Sequence, residues 1–346
     1  MKFRSTSRVT LVTSALLIGA FALTACATEE SSEASASGSV EQKTIGVWQS
    51  QGSGDGQVET LAAIEEATDA VGWDTVVTDS AGDPQKMAST MQSLITQQVD
   101  AIFMVYANTG LVAQQLAAAE AAGIPVISVG YQAVPSDSLA AEYAPDQEEQ
   151  TSLLIERMAE DLPDGGSVAP LAVAGYYGID IEVDTLEEEG PDHGFEPLER
   201  IDVPVTDIFA GTTSAAVDVL NGNPDLAAFF PALDIGVQTV VPALEQTGRD
   251  VPIYGFSAIP GAVAMVRSDD VTLVASDGAK AGFIAVDALL GYWVDGTEIP
   301  ASTPEEFAFE YAIVDDTNVP AEGEAFFPQD DFAAPFLEKW AADYGI

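Results

Sequence analysis

The 346-residue chain carries 56 acidic against 11 basic residues, a formal net charge of −45, and one cysteine. So negative a surface repels a phosphate backbone, which excludes nucleic acid as a partner. With no second cysteine there is no internal disulfide, so packed cores must carry the stability, and acidic groups spread over almost every segment read as solvation.

At the start of the chain, Lys2, Arg4 and Arg8 precede an uncharged apolar run, VTLVTSALLIGAFALTA, that stops at Cys26. A basic head followed by an apolar stretch of this length is the layout of a signal peptide, here residues 1–25. The junction LTAC, Leu23–Cys26, resembles the lipobox of bacterial lipoproteins. That resemblance implies a lipidated Cys26 with the chain cut before it, and so a membrane partner and an extracytoplasmic, anchored location. Loss of the three basic residues takes the charge to −48. The next stretch, ATEESSEASASGSVEQ, is small, polar and acidic and cannot bury enough apolar area to fold, so residues 26–42 are expected to be a disordered tether.

The body from Lys43 onward has the length of two domains. Short apolar runs alternate with amphipathic segments: TIGVW, then 57–72; TVVTD, then 84–98; AIFMVY, then 110–123; then PVISVG. Met87, Met91, Leu94, Ile95 and Val99 form one helical stripe. The pattern lapses over 132–146 and resumes with VAPLAVAG, VPVTDIFA, LAAFFPAL, VPIYGF and VTLVAS, followed by a helical segment at 278–294 and the strand candidate FAFEYAIV. Alternation of this kind predicts an α/β protein with two doubly wound parallel sheets. No later stretch is long and apolar enough to span a bilayer.

Open parallel sheets bind ligands beyond the carboxyl ends of their strands. The residues at those ends supply hydrogen-bonding groups at Gln51, Ser53, Asp55, Asn108, Asp234, Ser257 and Asp277, and aromatic faces at Tyr106, Tyr131, Tyr176, Tyr177 and Phe209. Such a set suits a neutral polar solute or a cation. Trp48 falls inside a strand pattern and is expected in the core. Lys280, one turn beyond Asp277, is placed to neutralise it.

The glycine-rich stretch WQSQGSGDGQ after the first strand does not make a dinucleotide site. Gln57 stands where the third glycine is needed, and Asp55 brings the wrong charge to a helix N-terminus. The chain has one histidine, His193, no G-x-S-x-G elbow and no EF-hand spacing in DTLEEEGPDHG, so no catalytic residue, metal or cofactor is expected.

In order and spacing, TIGVWQS, AVGWDTVVTDSAGDPQKMASTMQSLITQQVDAIFMV, AAGIPVISVG, NPDLAAFF, VPIYGFSAIPGAVAMV and YAIVDDTNV resemble the type I solute-binding proteins of bacterial ABC importers, in the ribose-binding-like branch. The resemblance runs from Thr44 to about Val319. It implies two lobes joined by three strand crossings, near Tyr143–Asp146, Ser276–Asp277 and Tyr311–Asp315. The implied division is 43–145 plus 277–310 for an N-terminal lobe and 146–276 plus 311–346 for a C-terminal lobe. It also implies a non-enzymatic, monomeric protein that captures a sugar, polyol or cyclitol between its lobes and hands it to an ABC permease. At the ligand the chain departs from the ribose pattern: Gly130-Tyr131 replaces Asp-Arg, Leu233-Asp234 replaces Asn-Asp, Ser257 replaces the aspartate of GFD, and the paired arginines have no counterpart. A cationic or zwitterionic metabolite, or a sensory role in the same fold, therefore remains open.

Overall fold

Strands buried on both faces read as unbroken apolar runs, and the centre of the first lobe's sheet, at TIGVW, AIFMV and VISV, is built on them. The computed structural model describes residues 40–106, 108–204, 207–232, 236–267, 270–321 and 324–346. Its first lobe runs β1 (Thr44–Gln49), α1 (Asp55–Ala70), β2 (Asp74–Asp79), α2 (Pro84–Gln97), β3 (Ala101–Val105), α3 (Ala113–Ala122), β4 (Val126–Val129) and β5 (Ala141–Tyr143). All five strands are parallel, in the order β2-β1-β3-β4-β5. Local chemistry sets the helix ends. Asp83 caps α2 by accepting from the Gln85 amide, with Pro84 in the first turn, and Gln98 closes the helix in the left-handed region. The three-residue β5 lies in the stretch where the sequence pattern lapses, since so short an edge strand leaves no periodicity.

The second lobe continues with α4 (Gln147–Asp161), β6 (Gly166–Val173), α5 (Tyr177–Glu189), β7 (Phe195–Pro197), β8 (Ile201–Val203), α6 (Ile208–Gly222), β9 (Leu226–Pro231), α7 (Gly236–Thr247), β10 (Ile253–Phe256), α8 (Pro260–Val266) and β11 (Val271–Ser276). The chain then returns to the first lobe in α9 (Ala281–Leu290), re-enters the second sheet as β12 (Tyr311–Val314) and ends in α10 (Gln329–Tyr344). The order is β12-β11-β10-β9-β6-β7, with β8 also on β6 and β12 antiparallel to β11.

Each sheet is covered on both faces. In the first lobe, Ile45, Val47, Phe103 and Ile127 pack toward α1 and α9, and Trp48, Ile102 and Met104 pack toward the Met87, Met91 and Leu94 stripe of α2. In the second, Leu171, Phe229 and Leu273 face α6, α7 and α8, while Val168, Phe230 and Val274 face α4 and α5. Trp48 is fully buried, its indole N–H donating to Met87 O at 3.2 Å and Thr90 Oγ1 at 3.0 Å.

Two expectations change. Of the run VPVTDIFA only Val203 belongs to β8, and Ile208 already opens α6, so Phe209 lies in a helical first turn and is 59% exposed instead of facing the interlobe cleft. The C-terminal helix, expected with the C-terminal lobe, packs on the N-terminal one. Ala333, Phe336 and Trp340 join the α1–α9 core, and Trp340 Nε1 donates to Asp287 Oδ1 at 2.8 Å. The helical spacing of its aromatics shows one apolar stripe, and spacing alone is silent on which lobe receives it.

Candidate functional site

The carboxyl ends of both sheets face one cleft. Tyr106 at the end of β3 (φ 52°) and Ser257 at the end of β10 (φ 62°) both sit in the left-handed region without being glycine. Each such residue costs on the order of 1–3 kcal/mol, and strain of this kind collects at ligand sites. Between the lobes lies a cavity of about 180 Å³. Its size is below the roughly 300 Å³ at which pockets for drug-sized molecules begin, so it fits one small metabolite.

The first lobe lines the cavity with Gln51, Gln57, Thr60, Tyr106 and Tyr131, the second with Gln147, Gln150, Tyr176, Glu182 and Ser257, and the hinge with Ser276 and Asp277. The rings of Tyr106 and Tyr131 stack at 5.3 Å, with planes 2° apart. Two glycines let the rings in. A Cβ at Gly56 would lie 2.4 Å from Tyr106 Oη, and one at Gly178 the same distance from Tyr131 Cε1. Gln57 is held in place by accepting the Gln51 amide at 3.1 Å and receiving Gln49 Nε2 on its carbonyl at 3.3 Å.

Contacts cross directly between the lobes. Tyr131 Oη donates to Glu182 Oε1 at 2.9 Å, and Asn108 Nδ2 donates to Gly175 O at 2.5 Å. At the hinge, Gln147 N donates to Gln132 Oε1 at 3.0 Å.

Of the residues expected at the site, Gln51, Tyr106, Tyr131, Tyr176, Ser257 and Asp277 line the cavity. Ser53, in the loop before α1, and Asp55, its first residue, are exposed and are not part of the wall. Asn108 is not in the wall either and spends its amide on the opposite lobe. Asp234 and Cys26 lie outside the described residues. The groups that strand-end reasoning missed, Gln57, Thr60, Gln147, Gln150 and Glu182, sit within the first two turns of the helices that follow the strands. Their signal was polar residues three or four apart beside a strand exit, which places them on one helix face.

Among the described residues the cavity wall holds no lysine, arginine or histidine, while Glu59, Glu182 and Asp277 bring carboxylates to it. Asp277 is committed to the hinge. Its carboxylate meets Lys280 Nζ at 2.5 Å and accepts the Glu310 amide at 2.9 Å, and Lys280 also donates to Ala308 O at 2.7 Å. Burial pushes the Asp277 carboxyl above its ordinary value, with Lys280 pulling the other way. In the glycine-rich turn, Asp79 Oδ1 accepts from the amides of Gly52 at 2.9 Å and Ala81 at 2.7 Å. Gly52's amide thus faces a carboxylate of the chain itself, and the Gln51 and Gly54 amides are taken by Gln57 Oε1 and Gln51 O, an arrangement opposed to a phosphate cradle there. Among the described residues no group of three or more histidine, cysteine or acidic side chains is arranged to hold a metal, and no helix is long and apolar enough to cross a membrane.

Comparison with known proteins gives a consistent result. A family described as periplasmic binding protein domain matches residues 45–297. The ribose import binding protein RbsB of Bacillus subtilis is 25% identical over 280 residues, 79% of this chain and 90% of that protein. A xylitol-binding protein of Mycolicibacterium smegmatis is 27% identical over 224 residues, 60% of this chain and 61% of that one. An ABC transporter solute-binding protein from Agrobacterium vitis, solved with bound allitol, superposes with a TM-score of 0.71 at 20% identity, covering 80% of this chain and 97% of that one.

Proposed function

The chain belongs to the periplasmic binding protein family, and on that premise we propose that it captures a sugar, polyol or cyclitol between its lobes and delivers it to an ABC permease from a lipid anchor at Cys26. It is a ribose-binding-like type I binding protein and not an enzyme, of a family that works outside the cytoplasmic membrane. The observation that carries the solute class is the wall chemistry. Amides at Gln51, Gln57, Gln147 and Gln150, hydroxyls at Thr60 and Ser257, and the tyrosine faces share the wall with no lysine, arginine or histidine among the described residues. Amides and hydroxyls donate and accept, as polyol hydroxyls do, and aromatic faces cover C–H surface. A phosphorylated or carboxylated solute would find no counter-charge among the described wall residues. The ligands named for the relatives, ribose, xylitol and allitol, are of this class.

A second reading keeps the fold and exchanges the solute for a cationic or zwitterionic metabolite. Glu59 and Glu182 in the wall favour it.

A thermal-shift series on the detergent-purified full chain with D-ribose, xylitol, allitol, myo-inositol and putrescine separates the two. A solute at about a thousand times its Kd stabilises the protein by roughly 4 kcal/mol, a shift of several degrees. A salt-insensitive shift with a hydroxylated probe supports the proposal; a shift with putrescine alone, abolished by salt, overturns it. Replacing Cys26 by serine should release the protein from the membrane fraction, and retention there would refute the anchor.

A further inference from the structure

The segment between β12 and α10 lies beyond the matched family region, which ends at residue 297. Its near end is tied to the second lobe, where Arg267 Nη2 donates to Pro320 O. Phe326 and Phe327, edge to face at 5.1 Å and 79°, pack against the second lobe's Leu273 and Val314 cluster. Two residues after Phe327, Gln329 Nε2 donates to Glu66 Oε2 on α1 at 2.5 Å. Phe332 then packs edge-on to Phe283 at 6.0 Å in the first lobe's core. Only Pro328 separates the two sets of anchors, and its ring fixes φ, here −61°. The crossing has no slack. The same few residues also reach the ligand cavity, since Ala325, Phe326, Phe327 and Phe332 all line it.

We propose that Glu324–Phe332 is a fourth interlobe strap, added to the three strand crossings, and that Phe326 and Phe327 are specificity-determining residues that form an aromatic wall of the solute site. This rests on the cleft being the solute site. Lobe opening must pull on an anchor at one end of Pro328, so the strap restrains opening and couples it to what touches the two rings. The solute favoured by such a wall has hydroxyls along one edge for the glutamines and a C–H face for the phenylalanines, the chemistry of a ring polyol or sugar.

The test uses full-length protein carrying Cys26→Ser, purified in detergent, with spin labels at cysteines replacing the exposed Gln92 on α2 and Glu187 on α5. Electron–electron distances are measured for the parent, for Phe326→Ala/Phe327→Ala and for Gln329→Ala. The last removes the polar anchor without emptying a core and keeps the distance arm informative if the double variant fails to fold. In parallel, each is titrated with D-ribose, xylitol, allitol and myo-inositol. The strap predicts a new, longer interlobe distance population in both variants, together with a tenfold or greater loss of affinity in the double variant for any probe the parent binds. Unchanged distances in the folded variants, or unchanged probe affinity in the double variant, overturns the inference. If the parent binds none of the probes, the sugar reading falls, and the distances alone decide the strap.

Discussion

Tyr131 Oη on the first lobe donates to Glu182 Oε1 on the second at 2.9 Å, and Glu182 is only 2% exposed. One hydrogen bond to a buried carboxylate thus joins the exit of β4 to the middle of α5 across the cleft. The stacking of Tyr106 on Tyr131 holds the phenol in place for it.

Replacing Tyr131 by phenylalanine keeps the stack and deletes the donor. A hydrogen bond to a charged group contributes about 1.5–3 kcal/mol. Solute affinity is expected to fall by about tenfold or more, chiefly through faster release. Stopped-flow dissociation with a bound probe checks this, and an unchanged release rate would show that the contact does not hold the lobes together.

Gly178→Ala acts on the same ring by shape. The added methyl would sit 2.4 Å from Tyr131 Cε1, closer than carbon atoms approach, so either the ring or the lobe must move. The expected outcome is a larger radius of gyration by small-angle scattering and weaker solute binding, with the circular-dichroism spectrum unchanged.

Asp277 and Lys280 form a buried pair at the second hinge crossing. Lys280→Met leaves that carboxylate without its counter-charge, which costs about 3–5 kcal/mol in comparable pairs. The double variant Lys280→Met/Asp277→Asn should recover much of the loss. Urea titrations of the two variants and the parent provide the comparison, and equal stability of the single and double variants would contradict the argument.

Asp315, near the third crossing, supplies a pH prediction. The Thr317 hydroxyl at 2.6 Å and the Arg157 guanidinium at 2.6 Å hold its carboxyl at about 2, below its ordinary value of 3.8. The native pKa is the lower one, so the stabilisation is complete above about pH 4 and is lost as pH falls through about 2. Allowing for solvent screening, it amounts to about 1–2 kcal/mol. Asp315→Asn should be less stable than the parent by that amount at pH 7, with the gap closing near pH 2. A gap independent of pH would show that the charge is not its source.

Trp340 reports on the docking of α10. It is almost fully buried beside Phe283 and Phe336, and its indole N–H is bonded to Asp287. Truncation to alanine should cost about 3–5 kcal/mol. Hydrogen exchange should then rise in α9 and α10 while β6 and β9 of the other lobe stay protected. A uniform rise across both lobes would mean that they unfold as one unit.

The residues of this chain by themselves determine its layers. The apolar runs at TIGVW, AIFMVY and VTLVAS are long enough to be buried on both faces, and the 3.6-residue stripe of α2 can be buried only along one side, so parallel sheets between helices follow from local periodicity. The same periodicity located the strand exits, and with them Gln51, Tyr106, Tyr131, Tyr176, Ser257 and Asp277 at the cavity. It had no means of finding what depends on approach between distant segments. Glu182 is one acid among many until α5 is brought over Tyr131, and Asp277 resembles a ligand group until Lys280 and the Glu310 amide occupy it. The stripe of Phe332, Phe336 and Trp340 declares that a helix must pack without naming its neighbour. Burial of an apolar face is non-directional, so a sequence dictates that the face be covered, and only the assembled lobes decide by what.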